Sequence, residues 1–238
     1  MRVHLADMLR LGLRGSLLCL TALIAACQSV SDQSAGPDLN EAAQAARVDA
    51  REARLGEIDT FSLNGALGIW TDQESISAKI NWQQQQDTLN LKITGPLGLG
   101  DLTLQDNGRL VTLERGNQLL ASGESGDLVL QDALALNAPV PLEQIRLWVK
   151  GLPGNANSVV RDTQGKLSSL RFKDKQGIGW QARFLRYTPI DEVFLPSLIT
   201  ASGGPYSLRL RLKNWQLVPT SVVPEKPESN KRLAIPSR

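Results

Sequence analysis

Histidine and cysteine, the side chains most often used for nucleophilic, redox or transition-metal chemistry, occur only in the first 27 positions of the chain. His4 is the only histidine, and the two cysteines are Cys19 and Cys27. Beyond Cys27, therefore, no histidine-based catalytic pair and no imidazole or thiolate zinc site can be assembled. Disulfide bonds within that part of the chain are excluded as well. Only carboxylates remain for acid–base work.

The carboxylates do not form a convincing acid–base pair. Asp101, Asp106 and Asp127 fall at predicted turns or helix caps, and no two of them have a spacing typical of catalytic carboxylates. The sequence predicts that the protein is not an enzyme and that it binds neither a metal ion nor a cofactor. An enzyme acting on lipids or the cell wall through carboxylates alone is the weakest alternative.

The N-terminus has the pattern of an export signal. Arg2, Arg10 and Arg14 precede a short apolar run, GSLLCLTALIAA, that is too short for a permanent membrane span. Residues 1–26 are therefore predicted to be a signal peptide. Once they are removed, acidic and basic residues are equal in number, and this balance gives no indication of nucleic-acid binding.

Small residues lead directly into Cys27 in the segment LIAAC, which resembles the lipobox of bacterial lipoproteins. The resemblance implies that Cys27 becomes the first mature residue and carries an N-acyl group and an S-diacylglycerol. Several acyl chains make a stable membrane anchor. Gln28 stands where an aspartate would imply inner-membrane retention, so it implies sorting to the outer membrane. An ordinary cleaved signal followed by a free thiol is the alternative.

Composition divides the remaining chain into three parts. Residues 27–38 are rich in Ser, Gln and Gly and are predicted to be a flexible tether. Residues 39–218 form the predicted domain. Residues 219–238 contain four prolines and mixed charge, and we expect them to be disordered.

The domain begins with helical sequence. From Leu39 to Ile58 alanines alternate with charged residues, and the apolar face is weak. That face is predicted to comprise Leu39, Ala43, Ala46, Ala50, Ala53 and Leu55. A solvated helix lying over the domain is favoured over an independent partner-binding helix.

Alternation with a period of two residues then predicts strands. Six runs joined by tight turns follow one another from Phe61 to Ser122, which requires largely antiparallel pairing. Helical sequence occupies Gly126 to Lys150, and the break APVP at Ala138 to Pro141 divides it into two helices. The second, LEQIRLWVK, has Leu142, Ile145, Trp148 and Val149 on one face. Strands resume at Val159. These patterns predict a mainly β fold in which about ten antiparallel strands curve and close into a barrel that the helices plug or cover; a two-sheet sandwich is the alternative.

Two other groups of residues invite a functional interpretation. The basic residues of RLRLK and RFKDK alternate with apolar ones, so they are interpreted as a solvated outer face. The five tryptophans, Trp70, Trp82, Trp148, Trp180 and Trp215, fall at apolar positions or strand ends. Most are predicted to be core, with one or two available to line a lipid cavity.

One hairpin has an unusually apolar tip. The strands in LNLKITGPLGLGDLTL flank a Gly- and Pro-containing turn that carries Leu97 and Leu99. Hairpin tips normally carry polar residues because they face water. The tip is therefore predicted to meet something apolar, although Leu99 can also fold back onto the rim of the sheet.

Several motifs in order resemble the LolB family of outer-membrane lipoprotein receptors. They are Asn64-Gly65, Trp82-Gln83-Gln84, Gly95-Pro96-Leu97-Gly98, the block from Pro141-Leu142 through Trp148 to Gly151-Leu152-Pro153-Gly154, and Asn214-Trp215. The likeness covers about residues 39–217. It implies a half-open barrel of about eleven strands that encloses an apolar cavity for acyl chains.

The resemblance also implies a function. LolB-like proteins accept lipoproteins from the periplasmic carrier LolA and place them in the outer membrane, where they are themselves anchored by lipid. Pro96, Leu97 and Gly98 match the family's membrane-insertion loop, with Leu97 as the inserting residue. The expected partners are a LolA-like carrier, acylated cargo and outer-membrane lipid, and the expected state is a monomer on the periplasmic face of the membrane.

The family's cavity residues cannot be transferred one by one, so strand and helix alternation alone selects candidates. They are Ile80, Trp82, Leu91, Ile93, Trp148 and Trp180. The alternative function is a structural or docking lipoprotein of the outer membrane, whose apolar face is filled by its own side chains and leaves no acyl cavity.

Overall fold

The computed structural model of the protein describes residues 39–95, 101–134 and 136–218. The chain divides into two units, Met1–Ala43 and Gln44–Arg238. Of the first unit only the beginning of helix α1 is described, and the fold below is that of the second.

Short helices accompany a single large sheet. The helices are α1 (Leu39–Gly56), α2 (Gly126–Ala133) and α3 (Leu142–Lys150). The strands are β1 (Thr60–Trp70), β2 (Ser75–Gln85), β3 (Thr88–Thr94), β4 (Asp101–Asp106), β5 (Val111–Arg115), β6 (Gln118–Gly123), β7 (Ser158–Arg161), β8 (Leu167–Lys173), β9 (Gly179–Ile190), β10 (Val193–Gly203) and β11 (Tyr206–Leu217).

The sheet consists of two antiparallel meanders. Strands β1 to β6 pair in sequence order, as do β7 to β11, and pairing of β1 with β11 joins the two series into one eleven-stranded sheet. Strands β6 and β7 are the ends of this order, so the sheet is not closed. The expectation of a half-open antiparallel fold of about eleven strands is confirmed. The two-sheet sandwich is wrong, because every described strand belongs to the same sheet.

The alternation of side chains gives the sheet two unlike faces. On the inner face, defined by residues such as Leu63, Trp82, Leu104 and Leu210, the side chains are buried in one apolar core. On the outer face the intervening side chains are exposed, as in β11, where buried and exposed positions alternate from Tyr206 to Lys213. This arrangement follows directly from the period of two residues in a pleated strand.

Of the face predicted for helix α1, Leu55 contacts the core but the alanines do not. Ala46, Ala50 and Ala53 are exposed, whereas Leu55 is fully buried. Arg51 donates a hydrogen bond to the carbonyl of Phe194 at 2.7 Å, and Glu52 forms an ion pair with Arg161. The prediction of an alanine face was wrong because long side chains reach the sheet region with both an apolar stem and a charged head.

Helix α3 packs as its sequence predicts. Leu142, Ile145, Trp148 and Val149 are all buried. Pro141 at its N-cap offers no side-chain acceptor, and the carboxylate of Asp127 in α2 accepts the backbone N–H of Leu142 at 2.7 Å instead. The helix ends at Gly151, whose φ of 84° is the left-handed conformation that favours glycine.

Candidate functional site

The predicted cavity residues on the first meander lie together on the inner face. In the antiparallel pairing of β2 with β3, Ile80 is opposite Ile93 and Trp82 is opposite Leu91. Ile80, Trp82 and Leu91 are buried, while Ile93 is half-buried and packs against the same core. Directly opposed side chains contact one another across a strand pair. These four residues therefore form one apolar patch.

The two remaining candidates are joined by an aromatic residue that was not predicted. Phe172 on β8 makes an edge-to-face contact with Trp148 at 5.5 Å between ring centroids and a stacked contact with Trp180 at 6.5 Å. Both geometries are favourable for aromatic pairs. The structure thus links helix α3 to strands β8 and β9 through three rings.

The inner face is filled by its own side chains. Trp82, Trp148 and Trp180 are at most 2 % exposed. Among four clefts on the described surface, with volumes of about 300, 890, 710 and 890 Å³, only the third contacts a predicted cavity residue, Trp180. Acyl chains could therefore reach the predicted residues only if neighbouring side chains or a helix move.

Several buried polar atoms in this interior have no hydrogen-bond partner among the described residues. They are the indole nitrogens of Trp82, Trp148 and Trp215 and one amide oxygen each of Gln84 and Gln144. Buried polar groups are almost always paired, and leaving one unpaired costs about 1–3 kcal/mol. The interior therefore holds unused donors and acceptors beside apolar surface.

Helix α3 is fastened to the sheet by its charged side. The guanidinium of Arg146 donates to a carboxylate oxygen of Asp106 at 2.8 Å and to the backbone carbonyl of Asp87 at 2.8 Å. The Arg146 and Asp106 side chains are 16 and 11 % exposed. Lys150 donates to the carbonyl of Ile58 at 3.2 Å, and burial lowers the pKa of its ammonium group.

A polar cleft of about 890 Å³ lies beside the contacts of Arg146 and Lys150. Asp59, Asp87, Asp106, Glu124 and Glu143 contribute carboxylates to its lining, whereas its cations are Arg146 and Lys150. Phe61 and Gln84 reach the same cleft from the inner face. The cleft therefore connects solvent with the edge of the apolar core next to α3.

The carboxyl group of Asp127, in α2, is half-buried where it caps the start of α3. Burial raises the pKa of its carboxyl group, and the hydrogen bonds from the backbone of Glu143 and Leu142 oppose that rise. Asp101 and Asp106 are the first and last residues of β4. Asp101 pairs with Lys92 at 2.8 Å, and Asp106 accepts the backbone N–H of Gly108 at 2.8 Å in the turn that follows.

Two predicted sites lie outside the described residues. They are the lipidation site Cys27 and the insertion loop Pro96, Leu97 and Gly98. The predicted tether at 27–38 and the predicted tail at 219–238 also lie outside the described residues. The described strands still locate the loop in the topology. It connects the end of β3, where Thr94 pairs with Lys79, to the start of β4 at Asp101.

Sequence reasoning missed Arg146, Gln84 and Gln144. Gln84 could have been found, because it falls in phase with the apolar residues Ile80 and Trp82 on β2. Arg146 gave no signal, since its partners Asp87 and Asp106 are distant in sequence and meet it only in the folded chain.

Two features are absent from the residues that the structure describes. No group of three or more His, Cys, Asp or Glu side chains there could hold a metal ion. Nor is any described helix both long and apolar enough to cross a bilayer.

Comparison with known proteins assigns the family. The family model described as outer membrane lipoprotein LolB matches residues 59–215. The chain belongs to the LolB family. It is 30 % identical to the outer-membrane lipoprotein LolB of Pseudomonas savastanoi pv. phaseolicola, over 83 % of this chain and 92 % of that protein. The same identity holds for LolB of Chromohalobacter salexigens, over 84 % and 89 %.

Solved structures show a weaker likeness. A LolA superfamily protein from Nitrosomonas europaea aligns with a TM-score of 0.47 and 12 % identity, over 74 % of this chain and 93 % of that one. A DUF1329 family protein from Desulfovibrio piger gives 0.47 and 9 %, over 73 % and 92 %.

Family membership confirms several predictions. The protein is a lipid-anchored lipoprotein of the outer membrane with a role in lipoprotein localisation, and its family is not a family of enzymes. Acylation at Cys27, the insertion loop and the cavity residues stay predictions.

Proposed function

We propose that this LolB-family chain is a receptor that accepts lipoproteins from a periplasmic LolA-like carrier by binding their acyl chains and inserts them into the outer membrane. Its own anchor would be the acylated Cys27, and it would work as a monomer. The observation that carries the proposal is the inner face itself, an apolar surface that continues across both meanders and holds unpaired indole N–H groups.

The chemistry of the cargo matches that interior. Each acyl chain is apolar and is joined to its lipoprotein through an ester or amide carbonyl, which accepts hydrogen bonds. The indole nitrogens of Trp82 and Trp148 are buried donors with no partner among the described residues. Bound acyl chains would cover the apolar patch, and their carbonyl oxygens would satisfy these donors.

Helix α3 is the element whose movement would admit cargo. Its apolar side carries Trp148 into the core, but its polar side is held by the contacts of Arg146 and Lys150 at the rim of the polar cleft. Displacing α3 from this side would expose the inner face without breaking the sheet.

Transfer needs no chemical energy at this step. Burying each methylene of an acyl chain contributes about 0.8 kcal/mol, so chains move towards whichever apolar environment buries them more completely. Passage from carrier to receptor and then to the bilayer is downhill if each holds the chains better than the one before. The leucine of the insertion loop would bring the receptor into the bilayer for the last step.

Quenching by brominated cargo tests acyl binding. A lipoprotein carrying brominated acyl chains, presented by its carrier, is expected to quench the tryptophan fluorescence of the wild-type protein. Trp148→Phe keeps an aromatic ring in the core but removes one donor and is expected to weaken this quenching. Transfer of cargo with no change in tryptophan emission would contradict binding at the inner face, and failure to take up cargo from the carrier would favour the structural or docking alternative.

Delivery is tested separately through Leu97. Leu97→Glu is expected to leave uptake from the carrier unchanged and to reduce delivery into liposomes at least tenfold, because a carboxylate resists burial in hydrocarbon. Leu119→Glu is the matched control, since Leu119 is 55 % exposed on β6. Delivery at the wild-type rate by the Leu97 variant would remove this residue from the mechanism.

A further inference from the structure

Charge is distributed unevenly over the strands. Within their described ranges, β1, β2, β3 and β7 to β11 contain no Asp or Glu at all. The outer face of the central strands nevertheless carries exposed cations: Lys79, Arg183, Arg209, Arg211 and Lys213. None of them forms an ion pair within the described chain. A solvated face needs charges for solubility, but solubility does not require that all of them have one sign.

Two of these cations share a groove. Arg183 on β9 and Arg209 on β11 both pair with Thr200 on the intervening strand β10, one on each side. Their side chains line an outer-face groove of about 300 Å³ together with Gln181, Ser202 and Ser207. Neither guanidinium donates a hydrogen bond to any described residue, so their forked donors are available to a ligand.

An exposed tryptophan borders this groove. Trp70 is 38 % exposed, and the guanidinium of Arg209 lies 5.5 Å from the centroid of its ring. Its ring lies over Gly68, where an added β-carbon would come within 2.5 Å of the indole. Gly68 therefore gives the ring room to lie against the outer face. Trp82, Trp148, Trp180 and Trp215 are all buried, which makes Trp70 distinct among the tryptophans.

We propose that this groove, formed by Arg183, Arg209, Thr200, Ser202, Ser207 and Trp70, binds the phosphate of an anionic phospholipid headgroup and docks the outer face of the sheet on the bilayer. Guanidinium groups bind phosphate in a bidentate manner, and hydroxyl groups complete such sites. The groove has a volume of about 300 Å³.

The position of the groove favours a membrane over an acidic protein. Tryptophan is typical of the membrane interface, where its ring meets the boundary between headgroups and hydrocarbon. Strand β1 ends at Trp70, and β3 ends at Thr94 towards the same end of the sheet, so the segment that carries Leu97 leaves the sheet on that side. Docking would hold this end of the sheet against the bilayer, and the inference thereby deepens the proposed function.

The full acylated protein reconstituted in vesicles tests this proposal without cargo or carrier. One vesicle type contains only phosphatidylcholine with brominated acyl chains, and the other contains 30 % phosphatidylglycerol in addition. Trp70 is expected to be quenched more strongly in the second type, and Trp70→Phe should abolish that difference. High salt should also abolish it, because about 1 M salt shortens the screening length to about 3 Å.

Charge reversal in the groove gives the decisive comparison. Arg183→Glu/Arg209→Glu is expected to lower the ratio of docked to undocked protein at least about 25-fold, since each basic residue near an anionic surface contributes about fivefold. Arg47→Glu/Arg109→Glu changes the net charge equally at exposed positions away from the groove, and should dock like the wild type.

Three outcomes would overturn the inference. They are equal quenching in the two vesicle types, quenching that persists in the Arg183/Arg209 variant, and a change in Trp70 emission caused by inorganic phosphate without any effect of phosphatidylglycerol. The last would assign the groove to a free phosphate. Failure of docking would leave cargo transfer untouched, so it can be distinguished from failure of the proposed function.

Discussion

The two faces of the sheet arise from the same alternation of residues but differ in the contacts that their side chains make. The inner face is apolar, buried and crowded with aromatic rings, and its side chains contact several strands and a helix. The outer face is exposed, and its cations contact few other residues. Side chains on the inner face therefore determine the fold, while those on the outer face are free to be selected for what the protein meets. The difference can be measured with pairs of variants that make the same substitution at two positions, one that supports the core and one that is exposed.

The largest difference is expected between two tryptophans. Trp148→Ala should lower the free energy of unfolding by about 3–5 kcal/mol, because it leaves a cavity in the core. Trp70→Ala should lower it by about 1 kcal/mol or less, since the ring is partly exposed. Urea unfolding of both variants measures the two values. Similar losses at both positions would mean that the outer face also supports the fold.

A smaller difference is expected between two ion pairs. Arg146→Met should speed amide exchange within Leu142–Lys150 by about 5- to 30-fold, because the carboxylate of Asp106 and the carbonyl of Asp87 lose a largely buried donor. Lys92→Met removes the exposed ion pair between Lys92 on β3 and Asp101 on β4. It should change the amide exchange rates of β3 and β4 less than about twofold. Unchanged exchange in α3 after Arg146→Met would show that core packing alone fixes the helix.

The smallest effect concerns the cap at the start of α3. Burial raises the pKa of Asp127, so its ionised form is disfavoured in the folded state relative to the unfolded state. Its contribution to stability is therefore greatest below the ordinary aspartate pKa and is lost as the pH rises through the raised value. Asp127→Asn keeps an oxygen acceptor and should become more stable relative to the wild type as the pH rises.

The control for this cap removes the acceptor altogether. Asp127→Ala should lower the free energy of unfolding by about 1 kcal/mol, the usual cost of losing a cap. Urea titrations of the three proteins from pH 3 to pH 8 separate the two effects. A wild-type protein that gained stability relative to Asp127→Asn as the pH rose would contradict the sign of the pKa shift.

The sheet was the most predictable part of the molecule, because period-two alternation and short turns are local signals. The sequence of β11 alone defines which of its residues are buried, and α3 was predicted with its bounds and its buried face. Helix α1 was predicted, but its contact face was not, because alanine is compatible with either a buried or an exposed face. Leu55, Arg51 and Glu52 acquire their roles only from partners more than a hundred residues away or in the core.

The site was less predictable than the fold. Alternation placed Ile80, Trp82 and Leu91 on the inner face, but it could not show how completely that face is packed, which depends on side chains from both meanders. The groove between Arg183 and Arg209 had no sequence signal beyond a basic strand. It depends on the register that sets both residues beside Thr200.

The pairing of β1 with β11 has a kinetic consequence. Every other strand pair joins neighbours in the sequence, but this pair brings together the first strand and the last, with Phe61 opposite Leu217. Each meander can form from contacts that are local in the sequence. Pairing β1 with β11 instead closes a loop that contains almost all of the domain, and such non-local pairing is slow. A chain that is exported from its N-terminus would present β1 with one unsatisfied edge until synthesis and translocation of β11 were complete. During that interval the nascent domain would depend on periplasmic chaperones or on rapid completion to avoid misassociation.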